Sequence, residues 1–432
     1  MPTYHIVTFG CQMNQADSER LTAYLEANNF SWADNQFKAD VLIVTTCGIR
    51  QSAEDRVYSL VHQAKKKNPK TIVVITGCLS NRADVKQRIK NKVDIWLPIT
   101  EMTSLVSRIK AKTVKVEVNL KDYLSVVPKY KSFFSAYVPI GNGCNNFCSY
   151  CVVPYARGRE KYRPASEIIS EIKKLIKNGY REIILIAQNV NSYHSGSIDF
   201  TKLLAKVNDI PGEFWIRFVS SHPKDISSEL IKSLGQYSKV CEHVHFALQS
   251  GDDQILEKMN RQYTSSHFQS LVKKIRANFK KYKPEFPVSI TTDVIVGFPG
   301  ETTKQFLNTA KVFKEIKFDM AYISQYSPRY GTVSYQMVDD VPKLEKKRRE
   351  QVLTKILSQT ARSNNRFYLK KIVPVLVEGK NRQGNWYGKT RTAKLVRIMG
   401  APINNLLGKF VLVKINKISD LSLEGKIVAQ YE

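Results

Sequence analysis

Residues 143–160 read GCNNFCSYCVVPYARGRE and hold three of the chain's seven cysteines, Cys144, Cys148 and Cys151, spaced C-x3-C-x2-C. The run just before them, SAYVPIG (135–141), reads as a short buried strand. Five more such runs follow: EIILIAQ (182–188), FWIRFVS (214–220), HVHFALQ (243–249), VSITTDVIVGF (288–298) and MAYISQYS (320–327). Helical stretches separate them at 165–178, 227–237, 265–282 and 302–316. Six strand-then-helix units predict a partial (βα)6 barrel. Ligands of such barrels sit at the C-terminal ends of the strands, where this triad lies.

Upstream, YHIVTFG (4–10), DVLIVTT (40–46), TIVVITG (71–77) and VDIWLPI (93–99) alternate with helical patterns at 17–29, 52–67 and 82–91. Near-continuous Val and Ile runs of this kind fit an open parallel α/β sheet. Cys11, Cys47 and Cys78 follow its first three strands, 36 and then 31 residues apart, one βα unit each. All strand ends of a parallel sheet share one edge, so these three thiols are expected to converge. Singly, each would be an ordinary buried cysteine. Three at equivalent positions point to a shared metal or cluster site. Cys241 stands alone and reads as a buried bystander.

Beyond a long charged helix (343–371), the tail turns to short strands at 372–380, 385–391, 393–399, 409–418 and 426–432, a small β-barrel. The expected fold is α/β with three domains: residues 1–115 an open parallel sheet with a cluster site, 130–366 the partial barrel, and 369–432 a small β-barrel that resembles nucleic-acid modules such as the OB-fold. Residues 112–133 read as a connector.

Composition bounds the function. The 432 residues exceed one ordinary core. No run of about 18 apolar residues suggests a membrane span, and MPTYHIVTFGCQMN lacks the basic-then-apolar pattern of a secretion signal. A cytoplasmic protein with reduced thiols is expected, and an odd count of seven cysteines favours ligation over disulfides. The formal charge of +29 fits a polyanionic partner, although many lysines are scattered singly on helix faces. The tail from Leu369 holds 12 Lys and Arg against 4 Asp and Glu, in keeping with nucleic acid.

Four Cys or His ligands would close a zinc site. Three Cys on a four-iron cube leave one iron open for a substrate. C-x3-C-x2-C with Tyr150 before the last Cys resembles the motif of radical S-adenosylmethionine (SAM) enzymes. Together with TFGCQMNQADSER (8–20), TTCGIRQSAED (45–55), TGCLS (76–80), QNVNSY (188–193), RFVSSHP (217–223), LQSG (248–251), MNR (259–261) and DVIVGFPGET (293–302), it makes the whole chain similar to the radical-SAM methylthiotransferase family. The tail resembles a TRAM domain. Departures from the family pattern include Thr45 and Thr46 before Cys47, and Leu79-Ser80-Asn81 after Cys78.

The resemblance implies two [4Fe–4S] clusters and SAM as cofactors. Cys144, Cys148 and Cys151 would hold the cluster that generates a 5′-deoxyadenosyl radical, and Cys11, Cys47 and Cys78 the one that carries sulfur. Tyr150, Gln188, Asn189, Gln249, Ser250, Arg261, Val296, Gly297, Pro299 and Gly300 would line the SAM pocket, with Arg261 pairing with the SAM carboxylate and the glycines admitting ligand to the backbone. Arg157 and Arg159 are further cations of the cluster loop, Lys389 stands where the family usually has Arg, and Lys394 falls in the tail's polar nucleic-acid strip. The implied reaction adds sulfur and a methyl group at C2 of N(6)-dimethylallyladenosine next to the tRNA anticodon. Its partners would be the tRNA anticodon stem-loop, an electron donor and a sulfur donor, with no membrane. Alternatives are action on threonylcarbamoyladenosine of tRNA, action on an aspartate of a small-subunit ribosomal protein, and a non-catalytic Fe–S or zinc RNA-binding protein.

Overall fold

The computed structural model describes residues 1–48, 51–111, 122–400 and 405–430. Strands β1 (Thr3–Phe9), β2 (Ser31–Trp32), β3 (Val41–Thr46), β4 (Ile72–Gly77) and β5 (Ile95–Leu97) form one parallel sheet in the order β2-β1-β3-β4-β5. Both faces are covered, which is why the strands read as unbroken apolar runs. Ile43 and Val74 meet Leu21 and Leu25 of α1 (Gln12–Ala27) on one face. Leu42, Val44 and Ile75 meet Val57 and Val61 of α2 (Gln51–Lys67) on the other. Helices α3 (Ala83–Arg88) and α4 (Leu105–Ala111) complete the unit.

Two details depart from the sequence reading. The short edge strand β2 is additional. Helix α1 starts at Gln12, five residues ahead of the expected Asp17, because Cys11 is its N-cap. Its buried residues include Asn14, Asp17 and Arg20, so no clean apolar stripe announces it. The connector falls partly on residues 112–121, outside the described residues. Beyond them Tyr123 and Leu124 are buried in the core of the first sheet.

The central domain begins with β6 (Ser135–Pro139), a hairpin of β7 (Gly141–Asn142) and β8 (Lys161–Tyr162), and α5 (Val153–Arg157) between them. It continues through α6 (Ala165–Lys177), β9 (Glu182–Ile186), the hairpin β10 (His194–Ser195) and β11 (Ile198–Asp199), α7 (Phe200–Asn208), β12 (Trp215–Phe218) and α8 (Ser228–Gln236). Then come β13 (His243–His245), α9 (Asp253–Lys258), α10 (Ser265–Tyr282), β14 (Ser289–Val296), α11 (Thr303–Ile316), β15 (Met320–Gln325) and α12 (Lys343–Asn365). Strands β6, β9 and β12 pair in parallel, as do β13, β14 and β15. Single bridges, Ile216–Val240 and Ser221–Phe246, join the two halves. Among the described residues no pairing returns β15 to β6, so the six strands form an open, partial barrel.

The tail is a closed barrel of β16 (Ile372–Lys380), β17 (Trp386–Thr390), β18 (Leu395–Ile398), β19 (Phe410–Ile418) and β20 (Ser422–Gln430). Its last strand begins four residues earlier than expected. It docks against the N-terminal ends of the central strands, away from the two cysteine triads. Arg217 donates to the carbonyls of Thr390 and Arg391 at 2.8 Å each. Arg391 grips Glu242, and Lys394 meets Asp319 at 2.6 Å with both side chains buried. Lys394 therefore belongs to this seam and is not part of an RNA-facing strip. Lys389 pairs with Glu378 at 3.0 Å. The exposed cations of the tail include Lys380, Arg382, Arg397, Lys414, Lys417 and Lys426. Cys241 is buried at the same seam beside Trp215 and Phe410.

Candidate active site

Parallel register brings the first thiol triad together. Phe9 pairs with Thr46 and Thr46 with Gly77, so Cys11, Cys47 and Cys78 leave the same sheet edge. A methyl group on Gly10 would lie 3.0 Å from Cys47 Cβ, and one on Gly48 would lie 3.1 Å from Cys78 Cβ. Gly77 has φ +85° and passes so close to Thr46 that a side chain would strike its carbonyl at 2.5 Å. Asn14 locks this edge. Its Nδ2 donates to the Thr46 carbonyl at 3.0 Å, while its Oδ1 accepts from the Cys11 backbone at 3.3 Å and from Sγ at 3.2 Å.

The second triad lies in the loop between β7 and α5. Arg261 Nη1 reaches Cys148 Sγ at 3.3 Å, its Nη2 donates to the Ala247 carbonyl at 2.9 Å and its Nε to Tyr263 at 3.1 Å. Arg261 is thus fixed on the cluster loop by protein partners, and the donor facing Cys148 is the one directed at the triad. Tyr150 packs among Ile255, Met259, Phe298 and Tyr326, which wedges the loop against α9 and β14.

The two triads face each other across the domain boundary. Gly48 lies so near Val152, the residue after Cys151, that a methyl group would meet it at 2.8 Å. Asn81 Nδ2 donates to the Ala156 carbonyl at 3.3 Å. Arg157 bonds Asp17 at 2.6 Å and Asn142 at 2.9 Å, with both members of the ion pair nearly sealed from water. Removing one partner of such a pair typically costs about 3–5 kcal/mol, because the other charge is left buried alone. Arg157 therefore clamps α1 to the cluster loop and is not available to a substrate. Arg159 is exposed and lies over the Phe147 ring at 4.3 Å.

Burial pushes the thiol pKa of Cys144 up to about 11 and raises those of Cys11 and Cys151. The Arg157 charge opposes that rise at Cys11, whose residue touches solvent while its thiol sits in a crowded recess. Such thiols hold their protons at neutral pH unless a metal displaces them, and a coordinating thiol is deprotonated outright. Among the described residues no three His, Cys, Asp or Glu side chains gather about a single ion-sized point. A four-iron cube takes each thiolate on a separate iron and needs them further apart.

The strand ends beside this loop are rich in unmatched polar atoms. Gln188 Oε1, Asn189 Oδ1, Asn191 Oδ1, Ser221 Oγ and Gln249 Oε1 are buried without a hydrogen-bond partner. Buried polar atoms are seldom left so, and a convergent set marks a site built for a polar ligand. Ser220 and Gln249 hold φ of +68° and +64°, conformations that non-glycine residues adopt only when their surroundings force them. Ser250 lies within the protein, 3.4 Å from Thr309 Oγ1.

The segment 296–300 closes β14 and leads into α11. Val296 is fully buried. A side chain on Gly297 would strike Lys346 of α12 at 2.4 Å, and one on Gly300 would meet Lys258 at 2.8 Å. Pro299 lies in the turn that leads to Thr302, the cap of α11. The backbone N–H groups of Gly297 and Gly300 are held by Glu301 at 2.6 Å and Asp340 at 2.7 Å.

Comparison with known proteins adds three domain matches and close full-length relatives. Residues 3–98 match the Uncharacterized protein family UPF0004, 138–313 the Radical SAM superfamily and 366–428 the TRAM domain. The tRNA-2-methylthio-N(6)-dimethylallyladenosine synthase of Clostridium novyi (strain NT) is 42% identical over 98% of this chain and 96% of its own length. The synthase of the same name from Thermoanaerobacter sp. (strain X514) is 40% identical over 98% and 92%. Among solved structures, the radical SAM methyltransferase TsrM from Kitasatospora setae superposes with a TM-score of 0.54 at 15% identity, covering 75% of this chain and 73% of its own. The cobalamin-dependent radical enzyme OxsB gives 0.53 at 10% identity, covering 82% and 56%. Those two likenesses speak to fold alone. With sequence relatives this close from end to end, the chain belongs to the tRNA-2-methylthio-N(6)-dimethylallyladenosine synthase family of radical SAM proteins.

Proposed function

We propose that this chain adds sulfur and a methyl group at C2 of N(6)-dimethylallyladenosine beside the tRNA anticodon, as a radical SAM methylthiotransferase. The observation that carries the reading is the meeting of two three-thiol edges, one on the open sheet and one on the barrel loop, clamped by the Asp17–Arg157 pair.

The donor set fits the implied groups. Cys144, Cys148 and Cys151 would hold one [4Fe–4S] cluster, and Cys11, Cys47 and Cys78 a second. The orphaned oxygens of Gln188, Asn189 and Gln249 would receive donors of SAM. When bound, the clusters and SAM supply a carbon radical able to break an aromatic C–H bond, together with the sulfur and the methyl group. The protein's own task is placement. Asn14 holds the first edge in register, Arg261 orients the second, and Tyr150 with its apolar neighbours keeps water from the loop.

The tRNA partner follows from the family and from the TRAM match, with the exposed lysines and arginines of the tail offered to phosphates. Among the described residues no helix is long and apolar enough to cross a membrane. We further propose a cytoplasmic setting, with an electron donor and a sulfur donor supplied by other proteins.

For the substrate, a prenyl group is neutral and apolar, whereas a threonylcarbamoyl group carries a carboxylate that needs a cation. Arg157 and Arg261, which stand beside the two triads, are already committed to protein partners. Anaerobic assays with three anticodon stem-loops, carrying dimethylallyladenosine, threonylcarbamoyladenosine or adenosine, are expected to give product with the first alone. Equal or greater turnover of the threonylcarbamoylated loop would move the substrate assignment and leave the radical chemistry standing.

A further inference from the structure

The inner wall of the barrel carries a polar group that has no part in holding the clusters. On β13 and β14 the alternate residues Val244, Ile290 and Val294 join the core under the outer helices. Side chains alternate along a strand, so His245, Thr291 and Asp293 face the concave side. His245 Nε2 lies 3.0 Å from Asp293 Oδ2, and its Nδ1 lies 3.0 Å from Thr291 Oγ1. A ring nitrogen facing a carboxylate is the donor, so Nε2 carries hydrogen and fixes one oxygen of Asp293. The other oxygen, Oδ1, has no partner among the described residues, and the Asp293 side chain is 42% exposed. Tyr322 stands directly opposite on β15, 48% exposed, with its ring centroid 6.2 Å from that of His245.

The place of this group is set by its neighbours. Ile295, two residues along the same face, belongs to the apolar cluster that includes Tyr150 of the cysteine loop. The Asp293 carbonyl accepts from the Gln249 backbone at 2.8 Å, at the strand mouth. The carboxylate therefore sits on the barrel wall about 7 Å, one strand repeat, from Ile295, on the side away from the strand mouth.

We propose that Asp293, held in position by His245, accepts the exocyclic N6–H of the adenosine brought into the barrel, with Tyr322 alongside the base. This rests on the substrate reading above. An enzyme that works on a ring carbon must take the base out of its stack and grip the base edge in a pocket. A dimethylallyladenosine keeps a single exocyclic N–H, and a carboxylate oxygen is its strongest acceptor. Because the purine is rigid, anchoring N6 also fixes the direction of C2.

The test uses the full-length, cluster-loaded enzyme and two anticodon stem-loops that differ at one group. One carries dimethylallyladenosine. The other carries its ether analogue, with oxygen in place of the exocyclic N–H. The wild type is expected to bind the first about tenfold more tightly, within the range of one hydrogen bond to a charged group. In Asp293→Ala that ratio falls to near one, and Asp293→Asn, which keeps an acceptor oxygen, restores part of it. Equal affinity of the wild type for the two loops overturns the proposal without any variant. So does an unchanged ratio in Asp293→Ala. Failure of the wild type to methylthiolate the dimethylallyladenosine loop is a separate result, and it removes the substrate reading on which the proposal stands.

Discussion

Cys148→Ala is expected to form no measurable 5′-deoxyadenosine from SAM, a loss of at least about a thousandfold, or 4 kcal/mol of barrel-assisted chemistry. The reason lies in the loop. Cys148 is buried between two other thiols and is the one that Arg261 reaches at 3.3 Å. Without it two thiols remain, too few to keep a four-iron cube in reducible form, and the Arg261 donor loses its partner. Anaerobic incubation with SAM and reductant, followed by chromatography of the nucleosides, makes the measurement. Deoxyadenosine at wild-type levels from the variant would remove the radical reading of this loop.

The second large effect concerns the other edge. Replacing Cys11, Cys47 and Cys78 together with Ala should lower the iron content of reconstituted protein from about eight to about four atoms per chain. The central barrel carries its own core, and its strands pair independently of the first sheet. SAM cleavage without RNA should therefore persist while RNA methylthiolation disappears. Full iron content in the triple variant would contradict the assignment of that edge.

Much of this was legible in the sequence because it rests on period and spacing. Strands buried on both faces announce themselves as apolar runs, and a cysteine placed just after each of three strands must share their edge. The start of α1 was hidden because Asn14, Asp17 and Arg20 are polar residues with buried, long-range tasks. Sequence shows a polar residue but not its partner. Arg157 reads as one more cation of the cluster loop until Asp17, 140 residues away, is seen to hold it. Lys394 reads as an RNA contact until Asp319 is found beneath it. Gly297 marks a close approach to Lys346 of α12, a partner that its own stretch of sequence does not announce. The His245–Asp293 pair did leave a signal. In HVHFALQ, His243 and His245 alternate with Val244 and Phe246, and in SITTDVIV Thr291 and Asp293 interrupt a strand that otherwise reads as buried, as on a barrel wall with a wet inner face.

The most direct test of the account follows the methyl group of SAM. Wild-type enzyme, reconstituted anaerobically, is given SAM labelled in its methyl carbon and an anticodon stem-loop carrying dimethylallyladenosine, and the digested RNA is read by mass spectrometry. The account predicts a nucleoside bearing sulfur and the labelled methyl group at C2, accompanied by 5′-deoxyadenosine from a second SAM. A base unchanged at C2, or a C2 product formed without deoxyadenosine, would contradict it.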